Sequence, residues 1–240
     1  MKIAVVYDNK SLQRQLSPAW GFSCLVGDDL LFDTGGDGPR LLSNMGHMGL
    51  DVRRIKRVIL SHAHGDHTGG LAGLLAVNKE ITVYLPHSFP TRFKEQAKAR
   101  AHVVEVHEPM EIAEGVYTTG EMRRGLVEQA LVLVTNRGPS TGSGRGLVIV
   151  TGCAHPGIVR MVERAKEVVN EEVYLVMGGF HLSVVDTRAI RSVIADFRRL
   201  GVQKAAPCHC TGKQAMKMFA AEYGDDFIEI GVGKVLEIGP

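Results

Sequence analysis

Apolar positions change their period several times along the chain, and each change marks an element. Residues 2–7, Lys2-Ile3-Ala4-Val5-Val6-Tyr7, form a short apolar run, and similar runs fall at roughly 21–26 and 30–33; all have the length and apolar character of strands. A helical pattern interrupted by glycine covers 38–48. Strand and helix patterns then alternate: strand at 57–60, helix at 68–77, strand at 81–85, helix at 88–101. A meander of short strands is expected over 103–118, 129–135 and 146–151. Residues 158–169 place Ile158, Val159, Met161, Val162, Ala165, Val168 and Val169 on one helical stripe, and residues 187–200 do the same with Ile190, Val193, Ile194, Phe197 and Leu200. Between them, Tyr174-Leu175-Val176-Met177 reads as a buried strand. Lys204-Ala205-Ala206-Pro207 leads into a last motif, followed by a helix at 213–223 and a terminal strand pair near 227–238. Strands followed by strand–helix alternation thus occur twice, which predicts an α/β protein of two similar βα halves whose sheets pack together with helices outside. No linker divides them, so residues 1–240 are expected to form a single domain.

Composition narrows the function classes. The chain has 240 residues, 45% hydrophobic and 22% charged, as in an ordinary globular protein, and its formal net charge of +2 gives no global field for nucleic acid or an anionic membrane. No apolar run approaches transmembrane length, and the first residues lack the apolar region and cleavage site of a signal peptide. Cys24, Cys153, Cys208 and Cys210 do not form a disulfide framework, which implies a reducing compartment and a cytoplasmic location. Arg137 to Gly146 is rich in glycine and serine, but it lacks the Lys of a phosphate-binding loop and leads into a strand; it reads as a hairpin loop.

The chemistry concentrates at residues 61–70, Ser-His-Ala-His-Gly-Asp-His-Thr-Gly-Gly, where a strand-like run meets a helix-like one. Imidazoles at His62, His64 and His67 and the carboxylate of Asp66 suit a borderline cation that takes nitrogen and oxygen ligands. This H-x-H-x-D-H pattern resembles the metallo-β-lactamase fold superfamily. The resemblance implies a four-layer αββα sandwich. It also implies that His62 and His64 bind a first metal, while Asp66 and His67 bind a second.

Further ligands have to come from distant sequence. In Thr151-Gly152-Cys153-Ala154-His155-Pro156-Gly157, many members of the superfamily carry a Gly-Asp pair whose acid bridges the metals. Here either Cys153 replaces that acid or His155 supplies the ligand. His155 is favoured, because imidazole suits a hard or borderline metal better than a thiolate does; the rival is a buried structural cysteine and a helix-capping histidine. In Ala206-Pro207-Cys208-His209-Cys210-Thr211-Gly212, His209 resembles the superfamily's last histidine ligand. If this stretch is extended, residues 208 and 210 face away from residue 209, so the two cysteines are expected to point elsewhere. In Gly178-Gly179-Phe180-His181-Leu182, His181 reads as a metal ligand, a proton donor or a substrate contact, with a structural loop histidine as the rival. Asp33 reads as an acid that orients a ligating imidazole, or as a turn former. His47, His87, His102 and His107 lack ligand spacing.

Thr-Gly-Cys-Ala-His-Pro-Gly, Gly-Gly-Phe-His-Leu and Cys-His-Cys-Thr-Gly, with Gly120-Glu121 and Glu128-Gln129-Ala130-Leu131, are similar to a narrower subfamily. It is named for the dihydropterin–ribofuranosylaminobenzene 5′-phosphate synthase of methanopterin biosynthesis. That resemblance implies a condensation in which an aromatic amine displaces diphosphate from the methyl group of a dihydropterin diphosphate. It implies two divalent metal ions, with zinc favoured in purified protein and magnesium, manganese or iron as the other candidates. Catalytic roles fall to Asp66 and His181, and the partner is a small, phosphate-bearing molecule. The same residues also suit hydrolysis of a phosphoester, ester or thioester, or a non-catalytic metal-binding module. Arg123, Arg124 and Lys213 are cations near these motifs and read more simply as solvated surface charge.

Overall fold

The computed structural model describes residues 1–136 and 144–239. The segment read as a hairpin loop lies, over 137–143, outside the described residues. The chain forms two compact units, Met1–His107 with Ile230–Glu237, and Glu108–Glu229 with Ile238–Pro240.

The first unit runs β1 (Lys2–Tyr7), β2 (Ser23–Val26), β3 (Leu30–Phe32), α1 (Gly38–His47), β4 (Arg57–Ile59), α2 (Gly65–Thr68), α3 (Leu71–Val77), β5 (Thr82–Pro86), α4 (Thr91–Lys98) and β6 (His102–Val106), closed by β13 (Val235–Glu237). Its sheet has the order β13-β1-β2-β3-β4-β5-β6. The strands from β13 to β3 are antiparallel, and those from β3 to β6 are parallel. Each parallel step carries its helix because the chain must cross the sheet before pairing again. Val6, Leu25, Leu31, Val58, Val83 and Leu85 of the sheet share a buried cluster with Leu41, Met45, Leu71, Leu74 and Ala97 of the helices. Helix α1 starts where the sequence provides a cap and a proline: Asp37 accepts from the Arg40 amide at 2.8 Å, and Pro39 lies in the first turn.

The second unit runs β7 (Met110–Ala113), β8 (Val116–Thr118), β9 (Leu131–Thr135), β10 (Gly146–Thr151), α5 (Ile158–Val168), β11 (Glu172–Gly179), α6 (Thr187–Arg199), β12 (Lys204–Cys208) and α7 (Lys213–Tyr223). Its sheet order is β12-β11-β10-β9-β8-β7, parallel from β12 to β10 and antiparallel onward. The two helical stripes are buried as the periodicity requires: Ile158, Met161, Val162 and Ala165 on α5, and Ile190, Ile194 and Phe197 on α6. Phe180, Phe197 and Phe219 form a triangle with ring centroids 5.3–5.5 Å apart, which anchors the chain just beyond β11.

Three expectations need correction. Residues 102–106 are not part of the meander; β6 pairs in parallel with β5 in the first sheet, because α4 returns the chain across that sheet. The helix expected over 68–77 is two helices, α2 starting inside the histidine motif and α3 after it. The break sits at Gly69-Gly70, where backbones nearly touch: a Cβ would lie 2.1 Å from the Gly36 carbonyl oxygen in one case and 2.1 Å from that of Thr34 in the other. The expected terminal strand pair does not pair with itself. Phe227 bridges Ala205, whereas β13 pairs with β1.

Gly70 and Gly46 make a controlled contrast. Gly46 lies on the exposed face of α1 with nothing within 4 Å of an added Cβ. Gly70→Ala is expected to lower unfolding stability by about 3 kcal/mol through the backbone clash, and Gly46→Ala to raise it by about 0.5–1 kcal/mol through lost chain entropy, both read from urea midpoints.

Candidate functional site

Each sequence-derived site residue follows the carboxyl end of a parallel strand or lies in the loop behind it, the position where α/β sheets present ligand-binding groups. In the first unit Asp33 ends β3, and Ser61 and His62 follow β4. His62 and His67 are fully buried, His64 is exposed as the residue capping α2, and Asp66 lies in the first turn of that helix. The ring of His62 lies 4.8 Å from that of His64 and 4.2 Å from that of His67, and His67 Nε2 lies 3.6 Å from Asp66 Oδ2. Asp33 organises this group. It accepts from the Ser61 amide and hydroxyl, each at 2.7 Å, and from His67 Nδ1 at 2.7 Å. Because the Ser61 hydroxyl gives its proton to Asp33, it accepts from His62 Nδ1 at 2.9 Å. Both imidazoles therefore carry their proton on Nδ1 and keep the Nε2 lone pair for a ligand. Asp33 acts as the orienting acid, not as a simple turn residue.

The second unit repeats the device with Glu128. This carboxylate is fully buried and accepts from the amides of Cys153, Ala154 and His155, each at 2.9 Å, and from His155 Nδ1 at 2.8 Å. The imidazole of His155 again presents Nε2. The His181 ring lies 4.5 Å from it, on an exposed side chain. The donor atoms of Cys153, His155 and His181 all lie within 4.8 Å of one another, as do those of Cys153, His209 and Cys210. Thr211 braces the last loop, its hydroxyl accepting from the Phe180 amide at 3.0 Å and donating to the Cys208 carbonyl at 2.7 Å. The Cys210 thiol is pulled below its ordinary range, first by its hydrogen bond with Cys153, against the opposing effect of burial, and then by His181 and His209. His181 is raised, chiefly by its hydrogen bond with Cys210.

The donor set of imidazole nitrogen, carboxylate oxygen and thiol sulfur, with Nδ1 atoms tied back to acids, fits a divalent transition metal. The backbone supports the same sites. Among the described residues the non-glycine positions with left-handed φ are Asp33 (53°), Ala154 (63°), His181 (53°) and His209 (49°), all of them in these loops. Such conformations cost about 1–3 kcal/mol each and persist where surrounding contacts enforce them.

One expectation fails here. Residues 208–210 are not extended: His209 turns left-handed and opens a 3-10 turn, His209–Thr211, so the alternation that sent Cys210 away from His209 does not apply. Sequence reading also missed Glu128 as an organising acid and Ser61 as a relay; the only sequence signal for Glu128 was its membership of a family segment. Arg123 is ion-paired with Glu121 at 2.6 Å. His47, His87, His102 and His107 are exposed, and His87 and His107 stack on each other at 3.9 Å.

The model of the metallo-beta-lactamase superfamily matches residues 25–167, more than half of the chain. This chain belongs to the metallo-β-lactamase superfamily. As a member of it, the chain carries the α/β fold of that family, and metal ions are the family's usual cofactors. It is 33% identical over 246 aligned positions to the 7,8-dihydropterin-6-methyl-4-(beta-D-ribofuranosyl)-aminobenzene-5′-phosphate synthase of Methanocaldococcus jannaschii, covering 87% of this chain and 84% of that protein. A solved structure of a metal-dependent hydrolase of the β-lactamase superfamily superposes with a TM-score of 0.82 at 29% identity, covering 100% of both chains. The metallo-β-lactamase fold protein YhfI from Bacillus subtilis superposes with a TM-score of 0.69 at 16% identity, covering 98% of this chain and 99% of that one, a likeness of fold alone.

Removing either organising acid leaves buried donors unanswered. Glu128→Ala and Asp33→Ala are each expected to lower unfolding stability by about 3–5 kcal/mol, measured by thermal and urea unfolding, against less than about 1 kcal/mol for the exposed control Glu80→Ala.

Proposed function

We propose that this superfamily member is a metalloenzyme with one dinuclear centre, in which His62, His64 and His155 hold one ion and Asp66, His67 and His209 hold the other. In this reading residues 1–240 act as a single metallo-β-lactamase-like domain. The observation that carries it is the shared orientation of His62, His67 and His155, each with Nδ1 committed to an oxygen acceptor. Zinc is the favoured ion in purified protein, with magnesium, manganese or iron as the other candidates.

The favoured reaction is the condensation named by the 33% identical relative. An aromatic amine attacks the methyl carbon of a dihydropterin methyl diphosphate; a C–N bond forms, the C–O bond to diphosphate breaks, and the amine loses one proton. Bound divalent ions supply neutralising charge to the departing diphosphate. His181, exposed beside His155, takes the proton from the amine. Asp66 stands against His67 Nε2 and keeps the second ligand pair together. A second reading, hydrolysis of a phosphoester, ester or thioester, is favoured by the 29% identical metal-dependent hydrolase; there Asp66 or His181 moves the proton of the attacking water. In either case the partner is a small molecule, proposed to bear phosphate, and the protein works in the cytoplasm. No helix among the described residues is long and apolar enough to cross a membrane.

Metal analysis tests the centre. Elemental analysis is expected to find about two equivalents per chain in wild type, with loss in His155→Ala and in His209→Ala. A value near zero, or one left unchanged by both substitutions, would sink the ligand assignment.

Product analysis separates the reactions. With dihydropterin methyl diphosphate and 4-ribofuranosylaminobenzene 5′-phosphate, the expected outcome is condensed product plus diphosphate in equal amounts. Turnover of simple phosphoesters or thioesters without any amine product would replace the transferase reading by the hydrolase one. Bound metal with neither activity would leave a binding module.

A further inference from the structure

We infer that Cys210, with Cys153 and His209, forms a thiolate-rich cation site in the second unit that selects a thiophilic divalent ion such as zinc or cobalt(II) over magnesium, manganese or calcium. The inference deepens the proposed dinuclear centre and rests on it. It adds two sulfur ligands to the ion assigned to His209, and so names the class of metal.

The geometry comes first. The donor atoms of these three residues already lie within 4.8 Å of one another, and the residues are only 4%, 6% and 5% exposed for Cys153, His209 and Cys210. Bonds of about 2.0–2.3 Å put the neighbouring donors of a four- or five-coordinate ion roughly 3–4 Å apart, so side-chain rotations that close the set by about 1–2 Å suffice. The backbone has been shaped for this approach. A Cβ on Gly179 would lie 2.7 Å from Cys210 Sγ and 2.3 Å from the Gly152 carbonyl oxygen, so the sulfur occupies the place of a missing side chain at the end of β11. The left-handed turn at His209 brings residues 209 and 210 into one donor group, and the Thr211 hydroxyl fixes that turn against Phe180. On the other side, Glu128 fixes the amide of Cys153.

The chemistry then chooses the ion. Two thiolates neutralise a divalent charge, and sulfur with imidazole is a borderline-to-soft set that hard oxygen-seeking cations do not favour. Buried cysteines of ordinary structural use look different in this chain: Cys24 sits in β2 and belongs to none of the donor groups found among the described residues. Within the second unit Cys153 belongs to two groups, one with His155 and His181 and one with His209 and Cys210. Its sulfur is thus the atom that two neighbouring ions would share, replacing the bridging acid of the Gly-Asp pair. A purely structural account makes Cys210 a thiol that donates to the Cys153 carbonyl at 3.6 Å and does nothing more.

Cobalt(II) distinguishes these accounts without any substrate. Metal-free full-length protein is loaded with cobalt, bound metal is counted after dialysis, and the near-ultraviolet band of sulfur-to-cobalt charge transfer is recorded. The expected result is a band in wild type that is lost or halved in Cys210→Ser and in Cys153→Ser, unchanged in Cys24→Ser and Cys208→Ser, and displaced by zinc but not by excess magnesium. Cobalt bound without the band, or a band indifferent to Cys210→Ser, overturns the inference while leaving the histidine centre standing. No bound cobalt overturns the centre itself, and the inference with it. Should the serine variants fail to fold, zinc X-ray absorption on wild type decides. Sulfur scattering at about 2.3 Å beside nitrogen at about 2.0 Å supports the site, and nitrogen and oxygen alone overturn it.

Discussion

Each unit is organised around one carboxylate that never reaches solvent. Asp33 and Glu128 are both fully buried, and an unanswered charge there would cost several kcal/mol. Each is answered by hydrogen bonds from the loop it holds: Ser61 and His67 for Asp33, and the 153–155 backbone with the His155 ring for Glu128. The consequence reaches beyond stability. A carboxylate on Nδ1 fixes which nitrogen of the ring carries the proton, which way the ring points, and how strongly Nε2 donates. The same bonds that let the acid be buried thus prepare the imidazole for a cation. Folding and ligand presentation are one interaction in this protein.

The sheets supply the frame for those acids. Within each unit the site residues leave a sheet at the carboxyl ends of its parallel strands, where successive loops converge on the same edge. Loops emerging from adjacent strands are crowded, and the crowding shows in the backbone. Left-handed residues and close glycine contacts gather there, as at Gly178, where a Cβ would lie 2.0 Å from the Thr151 carbonyl oxygen. The strain is tolerated because rigid strands precede it and because aromatic packing at Phe180 and the Thr211 brace follow it.

This division explains what was legible in the chain. The histidine motif is contiguous and bounded by clear strand and helix patterns, so it can be read directly. The stripes of α5 and α6 are legible for the same reason: burial on one face imposes a period of 3.6. What could not be read depends on contacts remote in sequence or on a single backbone torsion. Glu128 acts on a loop 25 residues away, and apart from the family segment it opens, nothing in Leu126-Val127-Glu128-Gln129 distinguishes it from a surface acid. Cys210 was misjudged because two-residue alternation assumes extended φ, and His209 at 49° breaks it. The sheet membership of β6 depended on where α4 returns the chain, which apolar periodicity does not encode.

The first unit is discontinuous in sequence, and that has a consequence for its birth. Residues 1–107 carry Asp33 and the whole histidine motif, yet β1 also pairs with β13, and Val5 exchanges hydrogen bonds at 2.9 Å with Lys234 and Gly233. During synthesis from the amino end, every element of the second unit emerges before that strand does. Through this interval β1 offers one edge with unpaired amides and carbonyls, a template that any other extended segment can take. Three residues, Val235-Leu236-Glu237, close it. The strand that completes the first sheet is thus the last of its elements to emerge, and β1 depends for its second partner on residues that follow the whole run of second-unit elements.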